Sequence, residues 1–227
     1  MLILGLSSAS NILGVCLLDD GRVLSEHSSM DDLRAEELAG HIDLILRFSG
    51  KDIKDVGAIA VTIGPGSYGG LRGGLATAKA LSQSRNIPLI GVSTLEAIAK
   101  NFEGGDGLLL VALHACKEEY NAALFASAKG VVKRLTDDVV VTREDIAKKL
   151  SRVKGGMILA CPRPDIFSRI RELDPGSEIL QAAEGMSVPR ASKVASIGAR
   201  KLLSGETADP LASVPHYSHD PNIREFK

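Results

Sequence analysis

The chain has 227 residues, 27 basic and 28 acidic side chains, a formal net charge of −1 and 44% hydrophobic residues. That is enough apolar material for a packed core in one or two domains. The balanced charge argues against unaided binding of a polyphosphate backbone, and no apolar run approaches the ~20 residues of a membrane-spanning helix.

The first elements read as an opening hairpin, Leu2 to Leu6 and Leu13 to Leu18, and a third strand, Arg22 to Ser28. Met1 leads straight into the first strand with no basic region before an apolar segment, so a cytoplasmic location is expected. A helix follows over Asp32 to Phe48. Leu38, Ile42 and Ile45 mark one stripe of it and Leu44 and Phe48 another. So wide an apolar arc fits either a helix serving two surfaces or one sunk deeply into its own domain. Glu37 and His41, four apart on it, are two potential ligands without a third, so no metal is assigned.

Val56 to Thr62 is almost entirely small or β-branched and apolar, as in a strand covered on both faces, and Pro65 stops it. Gly64, Gly66, Gly69 and Gly70 then allow a tight turn, and Ser67 is placed to cap a helix whose apolar face is Leu71, Leu75, Ala78 and Leu81. Glycines inside that helix, Gly70, Gly73 and Gly74, each cost about 1 kcal/mol against alanine. Close approach to something is the physical reason to keep them: another element of a protein, or a ligand phosphate at the helix amino terminus. Gly64, Gly66 and Gly69 satisfy G-x-G-x-x-G, but the next strand, Leu89 to Val92, runs into Ser93 and Thr94 without the carboxylate a dinucleotide ribose needs. Gly69 is followed by no lysine, which excludes a Walker loop, and Pro65 stands where a nucleophile elbow around Ser67 requires glycine.

A helix from Ser93 to Lys100 precedes NFEGGDG, residues 101–107, which reads as a boundary between an amino-terminal domain, 1–103, and a smaller carboxy-terminal one, 104–227. The second part offers strands at Leu108 to Leu113, Tyr120 to Ala126 and Val131 to Leu135. A helix capped by Thr142 with Asp145 follows, then a short strand at Met157 to Ala160. Pro162 and Pro164 precede a helix through Ile170, and Ser192 opens a last helix bearing Val194, Ile197, Leu202 and Leu203. The tail from Ala208 is broken by prolines. Cys16, Cys116 and Cys161 are odd in number, far apart and free of C-x-x-C spacing, which indicates neither a disulfide framework nor a zinc site. His114 and Cys116 fall on one face of a strand end with no third partner for a nucleophilic set. His216, Tyr217, His219 and Arg224 read as a mixed polar cluster that suits RNA or a partner protein, or as the ordinary composition of a loose terminus.

The stretch GPGSYGGLRGGLATAK, residues 64–79, resembles the GPGSFTGLR-G-ATAK signature of the TsaB (YeaZ) family, and Gly91 to Ala99, GVSTLEAIA, resembles a second hallmark at the family's spacing. The resemblance implies an α/β chain with the actin-like ATPase, ribonuclease H-like fold in two sub-domains, mixed sheets and flanking helices. It also implies a non-catalytic subunit in making threonylcarbamoyladenosine beside the tRNA anticodon. The implied partners are a TsaD-like catalytic subunit and a TsaE-like ATPase, which would carry the metal and ATP, with tRNA met only through the complex and a homodimer open for the chain alone. The implied interface is the first helices, here Leu38, Ile42, Ile45, Gly70, Gly74, Leu75 and Ala78, beside a vestigial phosphate loop at Gly64, Gly66, Ser67, Gly69 and Gly70.

Several positions depart from that pattern. Ser7 replaces the family's aspartate after the first strand, Arg34-Ala35-Glu36 replaces His-Ser-Glu, His114-Ala115-Cys116 replaces Asp-Ala-Arg, and Tyr68 and Gly69 replace Phe-Thr. Loss of the Ser7 carboxylate counts against the rival reading, an autonomous phosphotransferase using the glycine loop, and the missing histidines against a metallopeptidase.

Overall fold

The structure is a computed structural model that describes residues 1–30, 37–151, 153 and 155–218. The predicted helix start at Asp32, the Arg34-Ala35-Glu36 triplet, His219 and Arg224 lie outside the described residues. The first half comprises β1 (Leu2–Ser7), β2 (Leu13–Asp19), β3 (Arg22–Ser29), α1 (Leu38–Phe48), β4 (Val56–Gly64), α2 (Tyr68–Arg85), β5 (Leu89–Ser93) and α3 (Thr94–Ala99). The second comprises β6 (Gly107–His114), β7 (Glu119–Ala128), β8 (Val131–Arg134), β9 (Val139–Thr142), α4 (Arg143–Leu150), β10 (Met157–Ala160), α5 (Asp165–Leu173), β11 (Ile179–Gln181) and α6 (Ala191–Leu203).

Alternation along β1 organises the first sheet, whose order is β3-β2-β1-β4-β5, antiparallel through β1 and parallel beyond it. Leu2, Leu4 and Leu6 point to one face, where Leu38, Ile42 and Ile45 of α1 and Leu75 and Ala78 of α2 cover them. Ile3 points to the other, where Val194, Ala195 and Ile197 of α6 lie. Helices on both faces explain why every residue of β1 is buried. Contact with α6 is close because side chains are missing on both sides of it: a Cβ on Gly5 would lie 2.5 Å from the Ala191 carbonyl oxygen, and one on Gly198 would lie 2.4 Å from Ala60 Cβ.

The second sheet runs β11-β10-β6-β7-β8, with β9 also pairing β7. Its outer face packs on Ile146, Ala147 and Leu150 of α4 and Ile166 and Ile170 of α5. Leu95, Ile98 and Ala99 of α3 press on the other, against Leu109, Val111, Leu113 and Phe125. Helix α3 is thus the apolar wedge between the sheets. Asn101 Nδ2 fixes the junction by donating to the carbonyls of Met186 and Val188, at 3.0 and 2.9 Å.

The two sheets meet near the expected boundary between residues 103 and 104, and the last part of the 104–227 segment returns to the first sheet. Helix α6 and the chain after it pack on the first sheet, because the small residues Gly5, Ala60, Ala195 and Gly198 make a seat for α6 there. Residues 207–218 then form a strap: Ala208 N donates to Leu89 O at 2.8 Å, His216 N to Ile63 O at 2.6 Å, and Ser218 Oγ to Asn121 Oδ1 on β7. No described helix is long and apolar enough to cross a membrane.

Candidate functional site

The glycine loop lies where β4 hands over to α2. Its backbone needs are those of glycine: Gly64 has φ 126°, a region closed to other residues, and is followed by a cis Pro65. Ser67 caps α2 as its position suggests, its Oγ accepting the Gly70 amide at 3.4 Å.

The loop is packed against the turn between β1 and β2. The Ser67 amide donates to the Ala9 carbonyl at 2.8 Å, and the Leu71 amide to Ser67 O at 2.9 Å. A Cβ on Gly66 would come within 2.2 Å of Ala9 O, one on Gly70 within 2.0 Å of Ser8 O, and one on Gly74 within 2.0 Å of Ser8 Oγ. Of the two explanations for these glycines, the structure shows contact with another element, the β1–β2 turn. In the expected phosphate loop at Gly64, Gly66, Ser67, Gly69 and Gly70, the amides of Ser67 and Gly70 already have protein acceptors.

Ser7, at the place of the family's carboxylate, is fully buried and its Oγ donates to Pro189 O at 2.9 Å, tying the end of β1 to the approach to α6. Its hydroxyl serves the fold. The other predicted groups do not converge on it. His114 Nε2 sits 2.9 Å from the Lys117 carbonyl and so carries its proton there, while its ring meets Tyr120 edge-on. Cys116 lies in the turn beyond β6, not on the strand, and its Sγ donates to Glu119 Oε2 at 3.3 Å. Cys16 and Cys161 are buried thiols, which burial pushes up to about 12 and about 11 respectively, out of the range of useful nucleophiles. Among the described residues no group of three or more His, Cys, Asp or Glu side chains is arranged to hold a metal. His41 of α1 meets His27 of β3, ring centroids 4.7 Å apart.

Seven residues expected at a partner interface are also placed differently. Leu38, Ile42, Ile45, Gly70, Gly74, Leu75 and Ala78 are all buried in the chain's own core. Helical periodicity marks an apolar face without saying what covers it, and here the first sheet does. Outward from the same helices stand other residues. On α1 these are the second stripe, Leu44 and Phe48, which are 37% and 78% exposed. On α2 they are Gly69, Arg72, Ala76 and Ala80, with open space around the Gly69 Cβ position. Between the two helices runs a groove lined by Ala39, Asp43, Leu46, Arg47, Thr77 and Leu81, whereas Leu44 and Phe48 stand on the other flank of α1, the side on which His41 meets His27. Helix α2 carries Arg72, Lys79 and Arg85 and no carboxylate.

Residues 31–160 match a family model described as "TsaD: tRNA N6-adenosine threonylcarbamoyltransferase". The chain is 26% identical over 218 residues to the tRNA threonylcarbamoyladenosine biosynthesis protein TsaB of Bacillus subtilis, covering 96% of this chain and 93% of that one. It is 39% identical over 113 residues to the tRNA N6-adenosine threonylcarbamoyltransferase of Solidesulfovibrio magneticus, covering 43% of this chain and 30% of that one. YeaZ from Pseudomonas aeruginosa superposes with a TM-score of 0.79 at 21% identity, covering 95% of this chain and 100% of that one. The two-sheet arrangement is accordingly the actin-like, ribonuclease H-like fold. With more than half of its length inside the family model, the chain belongs to the threonylcarbamoyltransferase family that the model describes, within which its end-to-end similarity is to the TsaB (YeaZ) members.

Proposed function

We propose that the chain is a non-catalytic scaffolding subunit in the biosynthesis of threonylcarbamoyladenosine in tRNA, a cytoplasmic protein that docks a TsaD-like catalytic partner through the outward face of α1 and α2. The observation that carries this reading is the division of labour within α2. Gly70 and Gly74 press against Ser8, so the helix sits hard on the body, while Gly69, Ala76 and Ala80 are exposed and leave its outer backbone open to a second helix, and on α1 Phe48 stands exposed. Small residues let helix axes approach closely, and an exposed aromatic supplies an anchor.

Two features support the non-catalytic part: Ser7 spends its hydroxyl on Pro189, and the glycine loop is packed on Ala9. ATP and metal belong in this reading to the partners, a TsaE-like ATPase among them, and tRNA is met through the complex. Co-expression with the TsaD-like protein of the same genome tests it, read as the mass of the co-purified complex. A 1:1 assembly is the expected result. Calorimetry with ATP and magnesium on the chain alone supplies the contrary outcome: micromolar affinity with turnover would establish an autonomous enzyme instead.

A further inference from the structure

The strap formed by residues 207–218 carries apolar side chains that the core does not use. Leu211 is 79% exposed and Val214 65% exposed, and Tyr217 is partly open to solvent. The strap's backbone is nevertheless anchored. Ala208 N bonds Leu89 O, Lys79 Nζ bonds Leu211 O at 3.4 Å, Ser213 N bonds Asp209 O at 2.9 Å, and His216 N bonds Ile63 O. Its path also joins the docking face. Tyr217 packs on Tyr68, the first residue of α2, with ring centroids 5.0 Å apart, and Arg72 donates to Tyr68 Oη at 2.6 Å with its guanidinium over the same ring. The strap thus follows α2 from Lys79, bonded to the Leu211 carbonyl, to Tyr68, packed on Tyr217, as a ridge along which Leu211, Val214 and Tyr217 are exposed.

Charge around the ridge is net positive. Arg72, Lys79 and Arg85 come from α2, which has no acid. The strap's only carboxylate, Asp209, already accepts the Leu211 amide at 2.8 Å. Beside it a groove of about 510 Å³ runs between the end of α2 and the strap, lined by Gln83, Asn86, Pro88, Thr207, Asp209 and Leu211.

We infer that the strap is the second half of the partner surface, and that it receives an amphipathic segment of the TsaD-like chain whose apolar stripe is flanked by carboxylates. This rests on the α1–α2 docking proposed above. Exposed aliphatic side chains on a fixed backbone, rimmed by net positive charge that has no carboxylate ion-pair partner among the described residues, fit such a segment better than a nucleic acid, which would leave Leu211 and Val214 facing phosphate and sugar.

The experiment compares the full chain with Leu211→Glu/Val214→Glu, Arg72→Glu and Ala76→Arg, each titrated into the purified TsaD-like protein. All four positions are exposed, and an unchanged melting transition checks the fold. The inference expects the double variant to bind on the order of tenfold more weakly or worse, and Arg72→Glu to weaken binding and flatten its salt dependence. Loss of binding by Ala76→Arg together with parental affinity in the double variant would overturn the strap's role and leave the helix docking standing. Parental affinity in Ala76→Arg would overturn the docking reading itself. The inference also falls if the double variant changes only self-association of the chain, or only retention of tRNA by an intact complex.

Discussion

The two faces of α2 meet different surroundings, although both carry glycine and alanine. Inside, Gly70 and Gly74 are small because Ser8 occupies the place of their side chains; outside, Gly69 has open space at its Cβ position and Ala76 and Ala80 are exposed among the described residues. One composition therefore has two causes. The inner face is explained by the fold, and the proposed partner would account for the outer face.

Substitutions separate the causes. Gly70→Ala should have the largest effect, because its Cβ would lie 2.0 Å from a backbone oxygen that cannot rotate away. We expect a loss of about 3 kcal/mol in denaturant unfolding, at the upper end of overpacking costs. Gly198→Ala probes the equivalent contact of α6 with Ala60 at 2.4 Å, and should cost about 2 kcal/mol. A neutral result would contradict the seating of α6 on the first sheet. Gly69→Ala meets open space and should change stability by less than ~0.5 kcal/mol. A large loss there would erase the contrast between the faces.

The smallest effect belongs to a surface pair in the second domain. Arg169 Nε and Nη2 donate to Glu144 at 2.8 and 3.0 Å, and this hydrogen bonding holds the Glu144 carboxyl below its usual 4.5. A lowered folded-state pKa means that the pair's stabilisation is present above the unfolded carboxylate value and is lost as pH falls through the folded one. Glu144→Gln should therefore differ slightly from the parent at pH 7 in thermal unfolding, and the difference should close on acidification. A gap that widened as pH fell would show the opposite sign of coupling.

Much of this arrangement was legible in the sequence where periodicity and turn chemistry agree. The hairpin, the buried run Val56 to Thr62, the Ser67 and Thr142 caps and the break after Asn101 each carry a local signal that the structure repeats. What escaped were placements set by distant contacts. The stripe Leu38, Ile42, Ile45 has the same period whether a sheet or a second protein covers it, and only the fold decides. Helix α6 returns to the first sheet because Gly5 and Gly198 clear a path, a match of small residues far apart in sequence. Strand β9 is short and follows Asp137 and Asp138, so it reads as the approach to the Thr142 cap, and β11 has only three residues. The exposed apolar residues of the strap gave one clue, Leu211 and Val214 set between prolines that keep the tail extended.

The most direct test of the account is the affinity of Ala76→Arg for the TsaD-like protein, measured beside its melting transition. A partner-facing position predicts an unchanged melt with the 1:1 complex lost, because a long charged side chain would stand between two closely packed helices. A complex of parental affinity would contradict the account and leave the outer face of α2 without a cause.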